Sequence, residues 1–342
     1  MTDLIAAASK PGLEHLRASV SPQVASNSLL IKSLENFHVA TRYDDLFSLE
    51  VDRLLSTILS DSAQEGYAIA VVGKSGAGKS HTVKRRLDAH TAFKPFDDGY
   101  GNKMNLCLRV RTPAKCSTKA LGLAILRQAG YDIKRTTINE IEVWRLVGEQ
   151  LRRRETRIIY LDEAQHVLKE KDAKGRRNTQ DTLKALMQNS EWSIWLILSG
   201  IPDVLSLIDE DQDKQMERRS RVLEIGDMNE SDIGFFRSVI EAIADRVGYK
   251  IGFPLNDTFL LRLLHAGIGR QGMIIQLIKM SVECALWDPD AVKDKTIRFK
   301  HFVDGYRRLS NCSPSTNVFL VKEWADIERE VDDKGKLMET TL

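Results

Sequence analysis

Gly73-Lys74-Ser75-Gly76-Ala77-Gly78-Lys79-Ser80 is the stretch that decides the fold. It follows the apolar run Tyr67-Ala-Ile-Ala-Val-Val72 and leads into His81-Thr-Val-Lys-Arg-Arg-Leu87, which continues at helical spacing. A strand, a glycine-rich turn and a helix in that order form a P-loop. Glycines at 73, 76 and 78 let the backbone turn tightly and aim N–H groups inward, at the positive end of a helix beginning near Lys79. Lys79 supplies a mobile positive charge for the β and γ phosphates of a nucleoside triphosphate, and the Ser80 hydroxyl can ligate Mg²⁺. Residues 73–81, His81 included, are the expected phosphate-binding segment.

Composition frames that site. A chain of 342 residues with 42% hydrophobic and 29% charged residues has the makeup of a globular protein. Its length suits one large domain and a smaller one. No apolar run approaches the ~18 to 20 residues needed to cross a bilayer, and the N-terminus lacks a basic-then-apolar secretory pattern. No membrane partner and a cytoplasmic home are therefore expected. Cys107, Cys116, Cys284 and Cys312 form no C-x-x-C pair and read as reduced thiols. The net charge of +2 neither demands nor excludes a nucleic-acid partner. Arginines at 145, 152, 153, 154 and 157 and a basic stretch over 169–177 read most simply as solvated faces.

Along the chain, residues 1–43 have scattered apolar positions and read as a partly helical or disordered arm. Residues 44–60 carry a helical stripe of Leu46, Leu49, Val51, Leu54, Leu55 and Ile58. Past the P-loop, 104–112 alternates as a strand and Pro113 stops it. Residues 117–129 form a helix with Ser117 as N-cap and Gly130 as terminator, and 137–154 form another. Strands alternating with helices predict a parallel sheet covered on both faces.

The second decisive segment is Arg157-Ile-Ile-Tyr-Leu-Asp162-Glu163-Ala-Gln-His166. Two carboxylates end a buried strand, where ligands of open α/β sheets gather. Asp162 would hold the Mg²⁺ shell as a Walker-B aspartate does, with Glu163 beside it to orient and polarise an attacking water. A third strand, Ser193-Ile-Trp-Leu-Ile-Leu-Ser199, ends before Gly200-Ile-Pro202, and Gln215-Met-Glu-Arg218-Arg219-Ser-Arg221 precedes a strand at 222–225. From Asn229 the pattern becomes helical, with Asn229 and Asp232 spaced as a capping box and helices expected over 229–247, 256–266, 273–286 and 299–309.

These motifs resemble the AAA+ ATPases over roughly residues 45–310. The resemblance implies a P-loop core with a parallel sheet flanked by helices at 44–227 and a small all-helical lid at 228–312. A tail at 313–342 would be left over, with Phe319 and Trp324 fitting a partner-docking segment as well as a return onto the lid. It implies that ATP is the nucleotide, that Ser199 senses its γ phosphate, and that Arg219, ahead of Arg218 and Arg221, is a finger reaching a neighbouring protomer. Arg270 in Gly267-Ile-Gly-Arg-Gln-Gly272 would be the lid's sensor arginine. A hydroxyl capping the next helix, a charged helix end and a loop arginine are the plainer readings of these residues.

The strings Leu-Asp-Glu-Ala-Gln-His and Leu-Ser-Gly-Ile-Pro further resemble the TniB/TnsC group of transposition ATPases. Secretion-linked ATPases of the ExeA type share part of them, and a nucleotide-binding signalling module is the third alternative. Replication initiators of the Orc/Cdc6 kind would carry a C-terminal winged helix, for which only about thirty residues remain after the lid. The TniB/TnsC likeness implies ATP-dependent homo-oligomers, rings or filaments, on double-stranded DNA with little sequence preference. A transposase and a target-selection protein would be the partners, and hydrolysis would disassemble the complex. Lys174, Arg176 and Arg177, in a loop after the Walker-B strand, are the expected DNA contacts.

Overall fold

The computed structural model describes residues 11–60, 65–114, 116–133, 137–169, 173–209, 215–331 and 337–339. They form two compact units: residues 40–227, and a second unit joining the N-terminal segment up to Val39 with the chain from Met228 onward.

The first unit is built on five parallel strands, β1 (Ala68–Val72), β2 (Cys107–Arg111), β3 (Ile158–Asp162), β4 (Trp195–Gly200) and β5 (Ser220–Glu224), in the order β2-β3-β4-β1-β5. The period of two in a strand sorts its side chains between faces. Ile69, Val71, Ile158, Tyr160 and Ile197 pack with Phe47, Val51 and Leu54 of the helix Arg42–Leu59 and with Val83 and Leu87 of the helix Lys79–Ala89. Ala68, Ala70, Ile159, Leu161 and Leu196 face the opposite way, against the helices Thr118–Gln128, Glu140–Arg153 and Ala173–Met187. Coverage on both faces explains why the central strands read as unbroken apolar runs. Local signals set the helix ends: Ser117 accepts from the Ala120 N–H at 3.2 Å, Asn139 from Glu142 at 2.8 Å, and Gly130 turns with φ 76°. The Asn139 cap starts its helix at Glu140, a few residues later than the sequence pattern placed it.

Register matters most where β3 meets β4. Asp162 pairs with Ser199 and Leu161 with Leu198, so Asp162 and Ser199 lie side by side on the face that carries the helix Lys79–Ala89.

The second unit is helical, with Ile233–Val247, Asp257–Ala266, Gln271–Leu286 and Phe299–Ser310 around Phe236, Ile240, Leu260, Ile274, Leu277, Phe302 and Tyr306. Asn229 and Asp232 form the expected capping box. Among the described residues no helix is long and apolar enough to cross a membrane.

One expectation for the ends of the chain differs from this architecture, and one pair of alternatives is narrowed by it. The segment up to residue 43 was expected to stand apart as an arm, yet the helix Pro22–Glu35 docks in the helical unit: Leu34 is buried in its core, and Asn27 donates to the Leu286 carbonyl at 2.9 Å. The 313–342 tail was expected as a free docking segment or a return onto the lid, and it returns. Phe319 is 3% exposed among Phe259, Phe302 and Tyr306, while Arg262 donates to the Val318 and Val321 carbonyls at 2.5 and 2.7 Å. Phe319 and the Val318 and Val321 carbonyls are thus committed to the helical unit. Phe319→Ala should therefore destabilise the helical unit by about 3 to 5 kcal/mol in chemical denaturation, whereas a free docking segment would leave the midpoint unchanged.

Candidate nucleotide-binding site

The P-loop closes at the C-terminal end of β1. Gly76 and Gly78 take left-handed φ values of 82° and 100°, which residues with a Cβ avoid. At Gly73 a Cβ would lie 2.7 Å from the Ile225 carbonyl oxygen, so the loop must be bare there to pass the end of the sheet. Gly78 is the N-cap of Lys79–Ala89 and offers no side chain, which leaves the first N–H groups of that helix aimed out of its N-terminus. Lys79 is buried and its ammonium donates to the Lys74 carbonyl at 2.9 Å, folded over the loop. Lys74 turns away and pairs with Asp227 at 2.5 Å, so it contributes backbone to the cradle. Ser75 and Ala77 complete the loop, and His81 is exposed on the first helical turn.

Asp162 gathers the site. The Ser80 hydroxyl donates to its Oδ1 at 2.7 Å, the Ser199 hydroxyl donates to the same oxygen at 2.8 Å, and the Lys84 ammonium meets Oδ2 at 2.5 Å. Burial pushes this carboxyl up, but hydrogen bonds from Lys84, Ser80 and Ser199, together with the Lys84 charge, outweigh burial and hold it below the ordinary aspartate value. Ser199 is fully buried and spends its proton on Asp162, so the Tyr160 hydroxyl, 3.0 Å away, must donate to it. Burial raises the Tyr160 phenol and keeps it protonated for that task. The expected phosphate sensor is thus seated one step back, bonded to the carboxylate.

The donor set suits Mg²⁺. Ser80 and Asp162 present hard oxygens in contact with each other, and Mg²⁺ is commonly held by one or two protein oxygens with phosphate and water completing the octahedron. Among the described residues no group of three or more His, Cys, Asp or Glu side chains could hold a metal by itself.

Glu163 follows directly, with φ 57°. Its carboxylate accepts from the Gln165 amide at 2.5 Å. Lys84 and Gln165 were not among the residues expected here. Lys84 had a readable signal, since it stands four residues after Ser80 on the same helical face; Gln165 had none beyond its place in the acidic string.

The remaining candidates lie elsewhere. Arg219 sits at the start of β5 and ion-pairs with Glu65, while its carbonyl accepts from the Ala68 N–H at 2.8 Å. That is the N-terminal edge of the sheet, and the five residues of β1 at about 3.3 Å each separate it from the P-loop. Arg218 and Arg221 are exposed nearby. Arg270 belongs to the helical unit, as N-cap of Gln271–Leu286 behind Gly269 with φ 67°.

The expected basic loop over 169–177 is corrected in its second half. Lys174, Arg176 and Arg177 begin the helix Ala173–Met187, anchored where Thr179 meets Thr118 at 2.7 Å and Leu183 and Met187 are buried; residues 170–172 fall outside the described residues. Arg145 is matched by Glu142 and Glu149, and Arg152 by Glu191 at 2.8 Å, so those arginines are neutralised on their own surface.

Comparison with known proteins places this arrangement. The family model described as Bacterial TniB protein matches residues 46–228, more than half of the chain. Cdc6p from Pyrobaculum aerophilum is 12% identical, with 83% of this chain and 72% of that one covered at a TM-score of 0.56. The ADP form of the Aeropyrum pernix ORC2 protein is 14% identical over 83% and 75%, with a TM-score of 0.53. Drosophila ORC bound to DNA is 11% identical over 89% and 77%, with a TM-score of 0.50. Such identities speak for the fold, which is that of the AAA+ ATPases. No curated protein matches the chain.

The depressed Asp162 carboxyl has a stability consequence. A group with a lowered folded-state pKa stabilises above its unfolded value, about 3.9 for aspartate, and that contribution is lost as pH falls through the folded value. The melting-temperature advantage of the wild type over Asp162→Asn should therefore be greatest near neutrality and shrink on acidification below about pH 4. A constant difference across that range would show that the carboxylate's charge is not what Ser80, Ser199 and Lys84 hold.

Proposed function

The chain belongs to the TniB family of AAA+ ATPases, and from that premise we propose that it is an ATP-driven switch for DNA transposition. It binds double-stranded DNA as an ATP-loaded homo-oligomer, marks that DNA for a transposase together with a target-selection protein, and comes apart on hydrolysis, all in the cytoplasm. The observation that carries the reading is the contact of Ser80, Asp162 and Ser199 beside Glu163, directly against the P-loop.

The chemistry follows from the positions. Loop N–H groups and the Lys79 ammonium take the β and γ phosphates. Ser80 and Asp162 would hold Mg²⁺, which when bound offsets the charge of the phosphate oxygens. Glu163, the first residue beyond Asp162, accepts a proton from the attacking water. Ser199 keeps Asp162 aligned rather than meeting phosphate itself. Arg219 is too far from its own P-loop to act there, so it serves a neighbouring copy and must exchange Glu65 for the γ phosphate of that copy's ATP. Arg270 at its helix N-terminus is the lid's reporter of the bound nucleotide. Assembly then tracks nucleotide state because only ATP gives the two copies a shared ligand. DNA would be held through phosphates, with Lys174, Arg176 and Arg177 as the proposed contacts and a marked loss of affinity in salt. The DNA-bound Drosophila ORC, similar in fold, makes a duplex partner a reasonable premise for this reading.

Gel shift on non-specific duplex tests the switch: binding should be strong with ATP or a slowly hydrolysed analogue and weak with ADP, and equal affinity in all three states would sink it. Glu163→Gln should bind ATP normally, slow hydrolysis on the order of 10²-fold or more, and persist on DNA. Arg219→Ala should reduce hydrolysis on the order of 10³-fold while monomer ATP affinity, read by fluorescent-nucleotide titration, stays unchanged; lost affinity would place the arginine in its own site.

A further inference from the structure

Gln165 lies two residues beyond Glu163 and is 6% exposed. Its amide is held at both ends. Nε2 donates to Glu163 Oε2 at 2.5 Å, and Oε1 accepts from the Ile201 N–H at 3.3 Å. An amide whose donor faces a carboxylate and whose acceptor faces an N–H has one orientation. The backbone is shaped to bring it there. Glu163 takes its left-handed φ of 57°, which non-glycine residues seldom hold unless their surroundings impose it, and the His166 N–H donates to the Glu163 carbonyl at 3.0 Å to close the turn.

Residue 200 completes the fit. A Cβ there would lie 2.2 Å from Gln165 Oε1 and 2.5 Å from Val204 Cγ2, so only glycine lets the amide reach the Ile201 N–H. The Gly200 carbonyl in turn accepts from the Gly73 N–H, the first of the P-loop, at 3.3 Å. An unbroken path of hydrogen bonds and backbone therefore runs from Gly73 through Gly200 and Ile201 to Gln165 and the Glu163 carboxylate.

We propose that Gln165 is the positioning residue for Glu163, fixing its carboxylate for attack on ATP and tying it to the turn after β4. The inference rests on Glu163 being the base, as read above. With Oε2 engaged by the amide, Oε1 is the oxygen left to take the water's proton, in the manner of a base oriented by a third group. The groups around Asp162 are separate from this pair, so Gln165 acts on the rate and not on nucleotide binding. Displacement of the P-loop or the end of β4 is felt at Glu163 through the same amide.

The test uses the full chain and ATP, with steady-state hydrolysis and fluorescent-nucleotide titration as readouts. Gln165→Met keeps the length of the side chain and loses both hydrogen bonds. Gln165→Glu keeps an acceptor for Ile201, loses the donor and sets a second carboxylate beside Glu163. Each should lower kcat about 10- to 100-fold, with KM and nucleotide Kd held within about twofold. Combined with Glu163→Gln, the Gln165→Met change should add no further loss, because its effect passes through the missing carboxylate. Normal kcat in the Gln165 variants, a parallel fall in nucleotide affinity, or an additive double variant would overturn the proposal. If Gln165→Met fails to fold, Gln165→Glu carries the same comparison. Glu163→Gln separates the two levels: a wild-type rate there removes the base and this inference together, whereas a slow Glu163→Gln beside normal Gln165 variants removes the inference alone.

Discussion

The lateral alignment of β3 with β4 is the constraint on which the site depends. Pairing Asp162 with Ser199 puts a carboxylate and a hydroxyl on one face of the sheet, and the helix Lys79–Ala89 crosses that face with Ser80 and Lys84 one turn apart. A slip of one residue would send Asp162 to the opposite face, among Ala70, Leu196 and Leu198 of β1 and β4. The apolar alternation that fills both cores is therefore also what aims the carboxylate. Three polar contacts, from Ser80, Ser199 and Lys84, then hold an ionised aspartate in a place where burial alone would favour its neutral form.

Much of this was legible beforehand because the informative residues are local. A P-loop needs glycines at fixed offsets and a following helix, and both are written within a dozen residues. The acidic pair after a buried strand is equally compact. Strand order is a different matter: inserting β4 between β1 and β3 depends on which apolar faces meet in space, and neither spacing nor resemblance had been read for it. Gln165 escaped for the same reason. Its importance lies in a backbone N–H at Ile201, thirty-six positions away, and in the missing Cβ at Gly200.

The N-terminal segment was misjudged, and the tail was left open between docking and return, because their signals are diluted. In the helix Pro22–Glu35 few side chains are buried, so no strong stripe marks its inner face; Leu34 and Asn27 do the anchoring. In the tail a single aromatic, Phe319, is decisive, and its partners Phe259, Phe302 and Tyr306 come from two separate helices. The DNA-binding expectation was shifted by a similar effect, since Gly175 and a run of charges read as loop while Thr179, Leu183 and Met187 secure a helix beneath them.

The hydrogen bond from Asn27 to the Leu286 carbonyl joins residues 259 positions apart, and the Phe319 cluster lies later still. During synthesis, residues 40–227 supply every strand of the parallel sheet well before the helical unit has its last aromatic. The P-loop unit can thus mature on the ribosome while the segment up to Val39 waits for a core that does not yet exist. Closing so long a span is slow compared with local pairing. A nascent chain therefore owns its phosphate cradle before it owns a finished helical unit, and the nucleotide's binding surface precedes the unit that follows it in the chain.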